Sequence, residues 1–263
     1  MKDILCTTDL TLVSDNALLH ALGLADRMGS KVTLLHVLGR KERNPAGHAQ
    51  AEAALDEQIA RTQGTGRATP LLMEGDYVDR IAEETAKDHA FMVVGTHGPH
   101  GLRQNLFGAN ILKLVRRSAI PSLVVQEKSP VRPVLEKIIL PVAGHSTIGK
   151  LIDAVCLLAR AHAAEVHVFQ LMRPNEQPSD ELLANKLTML QRLKDENIRH
   201  VEVNEPFTEF SVGFAGPTIT YANKVGAGAI AIMAHASDEY RYIADAEKER
   251  LLTNDAFIPV LCA

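Results

Sequence analysis

The stretch FMVVGTHGPHGLRQNLFGAN, residues 91–110, decides the fold class. Its apolar run, Phe91–Val94, ends in Gly95, which is typical of a buried strand that leaves a sheet. Gly98 follows, and Gly108 precedes a helical pattern. A helix that starts there would present free N–H groups, which suit a phosphate. The same glycines also fit a tight strand-to-helix loop without a ligand, so spacing alone leaves both interpretations open.

Composition limits the function classes. The chain has 263 residues, of which 46% are hydrophobic and 23% are charged, as in globular proteins. The formal net charge is -4, and no basic stripe indicates a nucleic-acid surface. No run approaches the roughly 20 apolar residues that span a bilayer, and the N-terminus lacks a signal-peptide pattern. We therefore expect a cytoplasmic protein that binds neither nucleic acid nor a membrane.

Cysteine and histidine patterns predict no metal site and no catalytic residues. Cys6, Cys156 and Cys262 each sit in an apolar stretch, without the spacing of a metal knuckle or redox pair, and are predicted to be buried and reduced. His97 recurs in the second half of the chain as His235, which favours a shared hydrogen-bonding role at the end of a strand over metal binding. His145 and Ser146 are neighbours in the sequence, but no evident acid completes a catalytic triad with them.

Alternating strands and helices predict a parallel α/β sheet. In the first half the predicted strands are Ile4–Cys6, Lys31–Leu38, Ala68–Glu74, Phe91–Val94 and Ser122–Gln126; the helices are Asn16–Met28 with Ser14 as N-cap, residues 48–62, Val78–Asp88 and Asn110–Arg117. In the second half the strands are Lys137–Leu140, Glu165–Leu171, Arg199–Asn204, Ala229–Met233 and Pro259–Cys262; the helices are Ile148–His162, Asp180–Asn197, Thr218–Val225 and a solvated helix within 238–250. Pro70 places the third strand near a sheet edge.

The second half repeats the first. The pairs Gly75 and Gly213, Ile81 and Ile219, Val94 and Ile232, and Pro121 and Pro259 all share one offset in the numbering. A constant offset over this length indicates an internal duplication. We predict one module at residues 1–128, a linker at 129–136 that contains two prolines, and a second module at 137–263.

The first half resembles the universal stress protein family, whose motif is G-x2-G-x9-G-[ST]. Gly95, Gly98 and Gly108 have this spacing. The opening KDILCTTD and the segments GDYVDRIAEETA and VRRSAIPSLVV are also similar to that family. The whole chain looks like a tandem universal stress protein. The resemblance implies two Rossmann-like (adenine nucleotide alpha hydrolase-like) modules, each with a five-stranded parallel sheet flanked by helices.

The resemblance also implies a nucleotide, ATP, ADP or AMP, in the N-terminal module. Thr8 and Asp9 would approach the adenosine, although Asp9 could instead cap the turn that follows it. Val37 would contact adenine through its backbone. The phosphate and ribose side would be lined by Val94, Gly95, Gly98, Gly108, Ala109 and Asn110. Ala109 departs from the motif, because it replaces the Ser/Thr hydroxyl that would donate to a phosphate.

The second module has lost the motif. At the same offset Gly95, Gly98, Gly108 and Ala109 become Met233, Ala236, Ala246 and Glu247, and Gly144 falls near the position of Asp9. A glutamate at a phosphate position repels the ligand, so we predict no nucleotide in this module.

Three functions remain open on the sequence. The first is a stress-response protein with a regulatory nucleotide in the N-terminal module. The second is a ligand-free interaction module, in which the halves form an intrachain pseudo-dimer by pairing their fifth strands; a homodimer is a further expectation. The third is a slow nucleotide hydrolase, which is disfavoured because no general base or metal ligand lies beside the loop. We therefore expect no enzyme.

Overall fold

The chain folds as two compact units. The computed structural model describes residues 2–96, 111–132, 134–174, 177–206, 213–235 and 244–263. The units are Met1–Val131 and Arg132–Ala263, so the division falls inside the predicted linker, 129–136. Among the described helices, none has the length and apolar character that crossing a bilayer requires.

The N-terminal unit alternates strands with helices. Its strands are β1 (Asp3–Thr8), β2 (Val32–Leu38), β3 (Ala68–Glu74), β4 (His89–Thr96) and β5 (Ser122–Gln126), and its helices are α1 (Leu12–Met28), α2 (Pro45–Arg61), α3 (Tyr77–Thr85) and α4 (Ile111–Arg117). The strand order is β3-β2-β1-β4-β5, with parallel neighbours. β3 lies at one end of this order, as Pro70 predicts. The predicted parallel α/β fold is confirmed.

The order of strands changes direction between β1 and β4. From β1 the chain builds outward to β2 and β3, then returns to place β4 and β5 on the other side of β1. Ligands of open α/β sheets bind at the carboxyl ends of the strands that flank such a switch point. The register pairs Thr7 with Val94, so the residues that follow them, Thr8 and Gly95, meet at this edge.

The first helix starts earlier than the sequence predicts. It begins at Leu12 and its N-cap residue is Thr11, so the assignment of Ser14 as N-cap is wrong. Ser14 lies in the first turn, where its hydroxyl donates to the Asp9 carboxylate. The acceptor that organises this helix start therefore comes from the residue after β1. At the other end, Gly29 caps the helix with φ of 62°, as predicted.

Two other helix boundaries differ from prediction. α2 begins at Pro45, earlier than the predicted start at residue 48, because proline suits the first helical position and needs no N–H partner there. The Asn44 side chain caps this helix by accepting from Gly47 N. α3 ends at Thr85, earlier than predicted, and the chain turns at once into β4.

The C-terminal unit repeats the same plan. Its strands are β6 (Lys137–Pro141), β7 (Glu165–Met172), β8 (His200–Pro206), β9 (Ala229–Ile232) and β10 (Val260–Cys262), and its helices are α5 (Gly149–His162), α6 (Asp180–Asp195), α7 (Ala215–Lys224) and α8 (Ala244–Leu252). Within this unit the strand order is β10-β9-β6-β7-β8, again parallel. The duplication inferred from the sequence thus appears as one topology used twice.

We expect the free energy of unfolding to fall as the pH is lowered from 6.5 towards 4. Burial lowers the pKa of His20 to about 4, opposed by a hydrogen bond to the Ser129 backbone. Between these values the unfolded histidine binds a proton that the folded one excludes, so acid favours unfolding. The loss amounts to about 3 kcal/mol. Urea denaturation at several pH values measures it.

The matched variants are His20→Leu and His48→Leu, since the His48 side chain belongs to the same unit and is 38% exposed. His20→Leu should flatten the pH dependence over this range, whereas His48→Leu should leave it in place. An equal pH slope in His20→Leu and the unaltered protein contradicts the assignment to His20.

Candidate functional site at the switch point

The predicted nucleotide residues that the structure describes meet at one edge of the N-terminal sheet. Thr8 and Asp9 follow β1, and Gly95 lies near the end of β4 beside them. Thr8 is buried, and its hydroxyl donates to Gln58 Oε1 at 2.8 Å and accepts from Leu10 N at 2.9 Å. The Thr8 side chain is therefore used inside the protein.

Val37 presents its backbone to this edge. In β2 the carbonyl of Leu38 accepts from Gly75 N, beyond the end of β3, so alternation turns the N–H and C=O of Val37 towards β1. The β1–β2 register ends at the pair Thr8 and His36, one residue before Val37. In a parallel ladder this last pair places the Val37 N–H against Thr8 O, so the Val37 C=O is the group that extends past the end of the pairing.

Asp9 organises the start of α1. Its Oδ1 accepts from Thr11 N at 3.1 Å, from Thr11 Oγ1 at 2.6 Å and from the Ser14 hydroxyl. The Ser14 oxygen in turn accepts from Asp9 N at 3.1 Å. The turn-capping role that the sequence allowed for Asp9 is therefore present. These bonds use one carboxylate oxygen, Oδ1.

Packing within the described unit does not require glycine at position 95. A Cβ added to Gly95 would lie 3.5 Å from Val13 O and 3.6 Å from Ala17 Cβ, both ordinary contacts with α1. Val94 is fully buried and belongs to the core. His97 lies outside the described residues. So do the other predicted phosphate-side residues, which are Gly98, Gly108, Ala109 and Asn110.

Sheet register fixes which residues of the two units correspond. Leu5 pairs with Met92 in the N-terminal unit, and Ile139 pairs with Ile230 in the C-terminal unit. Met92 and Ile230 are separated by the repeat offset that the sequence shows. The separation between Leu5 and Ile139 is four residues shorter than that offset. The first strands therefore follow a shorter offset than the fourth strands. The β1–β2 and β6–β7 registers show the same shorter offset.

The corrected register changes one predicted correspondence. The counterpart of Asp9 is Ala143, not Gly144, because the sequence-based comparison was one residue out of register at the first strand. Thr8 corresponds to Val142, Val37 to Leu171, Val94 to Ile232, Gly95 to Met233 and Asn110 to Lys248. Polar and small residues at the site in one unit have mostly become apolar in the other.

A cavity of about 390 Å³ occupies this equivalent place in the C-terminal unit. It opens at the carboxyl ends of β6, β7 and β9, with α7 and α8 beside it. Its lining includes Val142, Ala143, Leu171, Phe214, Met233 and Lys248. The described cavity at a switch point thus belongs to the unit for which the sequence predicts no nucleotide.

Glu247 has a structural partner. Its Oε2 accepts from Ala215 N at 2.7 Å, at the first turn of α7. In the N-terminal unit the equivalent helix, α3, is capped locally by Asp76, whose carboxylate accepts from Val78 N. The counterpart of Asp76 is Phe214, which makes no side-chain cap. A carboxylate from α8 therefore replaces the lost local cap.

The helix around Glu247 is also less solvated than predicted. α8 buries Ala244, Lys248, Leu251 and Leu252. Its sequence is charged, but the buried positions recur at helical spacing, so one face packs against the unit. The expectation of a fully solvated helix is wrong for that face.

The cysteines are buried thiols, as predicted. Burial raises the pKa of Cys6 and raises that of Cys262 to about 12, so both stay protonated at neutral pH. Across the described ranges, no group of three or more His, Cys, Asp and Glu side chains could hold a metal ion.

Histidines in the strands have mainly internal partners. His167 Nδ1 is 2.8 Å from the Tyr221 hydroxyl and its Nε2 is 3.0 Å from Glu165, so both ring nitrogens of this histidine have partners. His36 Nδ1 lies 3.0 Å from Thr8 O, whereas its Nε2 is buried and has no hydrogen-bond partner among the described residues. One ring nitrogen of His36 is therefore satisfied within the described residues.

The family is identified by comparison with known proteins. The model of the universal stress protein family matches residues 1–126. The N-terminal half of the chain therefore belongs to the universal stress protein family. With two halves of that size and topology, the chain as a whole is consistent with the tandem type of this family. The comparison with curated proteins gave no match.

Solved structures share the fold over the full length. A universal stress protein from Archaeoglobus fulgidus DSM 4304 has a TM-score of 0.72 and 14% identity, over 100% of this chain and 96% of that one. A putative universal stress protein from Pseudomonas aeruginosa UCBPP-PA14 has a TM-score of 0.59 and 17% identity, over 100% and 92%. A universal stress protein from Archaeoglobus fulgidus in complex with dAMP covers 49% of this chain and 98% of its own, with a TM-score of 0.37 and 16% identity.

Sequence reasoning missed the residues that give the second cavity its character. Phe214 corresponds to Asp76, and Lys248 corresponds to Asn110, at the constant offset of the repeat. The offset that revealed the duplication would have found both residues.

We expect Glu247→Ala to destabilise the C-terminal unit by about 1 kcal/mol, the usual cost of losing a helix cap. The substitution leaves Ala215 N without its carboxylate partner. Chemical denaturation followed by circular dichroism measures the change. Glu249→Ala is the matched control, because Glu249 is exposed on the same helix, and it should stay within about 0.5 kcal/mol of the unaltered protein. Equal effects of the two variants would show that Glu247 is not the cap.

Proposed function

We propose that this chain is a regulatory universal stress protein that binds an adenine nucleotide, ATP, ADP or AMP, in its N-terminal unit. The nucleotide acts as a signal rather than as a substrate, and the response is a change in conformation or in partner binding. The module boundaries that we propose are 1–128 and 137–263, joined by residues 129–136.

The observation that carries the proposal is the direction of the Val37 backbone. Its C=O faces the switch point one residue beyond the end of the β1–β2 register, whereas its N–H lies against Thr8 O in the parallel ladder. Adenine presents an amino donor, and a backbone C=O is a complementary acceptor. Val37 therefore offers a hydrogen-bond acceptor for adenine without a polar side chain.

Asp9 and Gly95 support the ribose and phosphate part of the proposal. The three hydrogen bonds that Asp9 accepts converge on Oδ1 and hold the carboxylate beside the carboxyl end of β1. In Rossmann-type sites an acidic side chain accepts from a ribose hydroxyl. A Cβ at Gly95 would make only ordinary contacts with α1, so packing in the described unit does not account for the glycine, and close approach of a ligand is the role we propose for it.

The C-terminal unit is not assigned a nucleotide in this proposal. Its counterparts of Thr8 and Asp9 are Val142 and Ala143, which cannot bond a ribose, and its counterpart of Gly95 is Met233. The ligand-free interaction module with an intrachain pseudo-dimer is the competing proposal, and slow nucleotide hydrolysis is a third. A cytoplasmic location and a homodimer remain expectations.

We expect Asp9→Asn to weaken AMP, ADP and ATP binding by about tenfold or more, the usual effect of losing a charged hydrogen bond. Asparagine keeps one side-chain oxygen for Thr11 and Ser14, and it caps helices as well as aspartate does. Stability should therefore stay near that of the unaltered protein. Isothermal titration calorimetry of the full chain measures affinity, and thermal unfolding measures stability.

Asp56→Asn is the control, because it makes the same charge change at an exposed position of α2. It should leave nucleotide affinity unchanged. If the unaltered chain binds none of the three nucleotides, the nucleotide proposal fails and the interaction module takes its place. Steady phosphate release that Asp9→Asn abolishes would instead support the hydrolase.

A further inference from the structure

Helix α6 carries an apolar strip that the C-terminal unit leaves exposed. Leu183 and Leu187 are 41% and 67% exposed, and Leu190 is half-buried beside them. Residues four and seven apart lie on one face of a helix, so the three leucines form one continuous strip, the leucine stripe. The helix packs on its unit through another face, which buries Asn185, Lys186, Met189 and Leu193. A contiguous apolar strip in contact with water is typical of an interaction surface.

Residues of opposite charge extend the leucine stripe at its two ends. Asp180 lies three residues before Leu183, and Lys194 lies four residues after Leu190, so both continue the same helix face. Both are exposed, and neither forms an ion pair within the part of the chain that the structure describes. The helix dipole favours each sign at its own end. The stripe thus carries a negative charge at one end and a positive charge at the other.

The N-terminal unit folds without such a stripe. Its helix α2 corresponds to α6 at the offset of the second strands, which also aligns the buried residues Leu55 and Met189. Alanine stands at four of the five equivalent positions, all exposed, which are Ala46, Ala49, Ala53, Asp56 and Ala60 in the order of the stripe. The fold that the two units share therefore accounts neither for the leucines nor for the opposite charges.

The leucine stripe is complementary to a second copy of itself in the reverse direction. About a two-fold axis at Leu187, the position opposite Asp180 is Lys194, and the position opposite Leu183 is one residue from Leu190. Leucines then meet in the middle, and opposite charges meet at both ends. A parallel arrangement would place like charges side by side at each end, which repulsion disfavours.

We propose that the chain forms a homodimer in solution through antiparallel contact of α6 with α6 of a second copy. The leucines supply the attraction, because their apolar area leaves water, and Asp180 and Lys194 set the direction. A helix of 16 residues is about 24 Å long, so the contact is short and the association is weak and reversible. This surface differs from the fifth strands, on which the intrachain pseudo-dimer depends, and lies in a different unit from the proposed nucleotide site.

Sedimentation velocity of the full chain measures the association. The unaltered protein should shift from monomer towards dimer as its concentration rises. The double variant Leu183→Ala/Leu187→Ala gives α6 the alanines of α2, and it should raise the dissociation constant about tenfold or more because each copy loses apolar area. Leu12→Ala is the control, since Leu12 is an exposed leucine of α1, and it should leave the dissociation constant unchanged.

Reversal of the end charges tests the direction of the contact. Asp180→Lys puts two lysines opposite each other and Lys194→Asp puts two aspartates there, so each should weaken the dimer roughly fivefold. The double variant Asp180→Lys/Lys194→Asp has opposite signs across the axis again and should recover the association. Circular dichroism checks that each variant is folded.

A cysteine on the axis gives an independent readout. Leu187→Cys should form a disulfide-linked dimer under mild oxidation, because position 187 meets itself across the axis. Ala53→Cys is the matched control at the equivalent exposed position of α2, and it should stay monomeric on a non-reducing gel. Cys6, Cys156 and Cys262 are buried in the unaltered chain.

Four results would overturn the proposal. A monomer at every concentration would leave the leucine stripe to a different partner. A dimer that the double leucine variant leaves unchanged would place the contact on another surface. A double charge variant that stays as weak as the single ones would contradict the antiparallel direction. Equal cross-linking of the two cysteine variants would show random collision. Failure of the Asp9→Asn experiment leaves all of these readouts intact.

Discussion

Parallel pairing of the first and fourth strands is the constraint on which both units depend. It brings the ends of β1 and β4 together, and of β6 and β9, while the helices that follow leave in different directions. The strand topology alone therefore leaves a cleft at this edge of the sheet, whatever the side chains are. The side chains determine what the cleft can bind. Backbone groups and a carboxylate face this place in one unit, and apolar side chains with two cations face it in the other.

The two units show how a duplicated site can change without loss of the fold. Strand order and register are maintained, because buried β-rich segments tolerate apolar exchange. The start of α7 lacks a local cap, because Phe214 stands at the position that Asp76 occupies in the N-terminal unit. Glu247 restores an acceptor from a different helix. Because Glu247 supplies the cap, the residue at position 214 can be apolar and line the cavity.

The sequence predicted the fold better than it predicted the site. Strand positions and the duplication followed from apolar runs and a constant offset, which report burial directly. The start of α1 was placed wrongly because Ser14 resembles a cap, whereas Asp9 accepts the bonds there. The one-residue error that named Gly144 arose because the units differ in length between their first and fourth strands. A cavity depends on how side chains meet across elements, and that information is not carried by local pattern.

The bond between Glu247 and Ala215 joins segments that lie 32 residues apart in the chain. Opening α8 therefore removes the acceptor on which the first turn of α7 depends. We therefore expect the two helices to open together in amide exchange. Because both helices border the cavity, we expect a molecule that fills that space to slow the exchange of both. The C-terminal unit thus has a bond between α7 and α8 that its N-terminal counterpart does not need, because the adjacent Asp76 supplies the cap there.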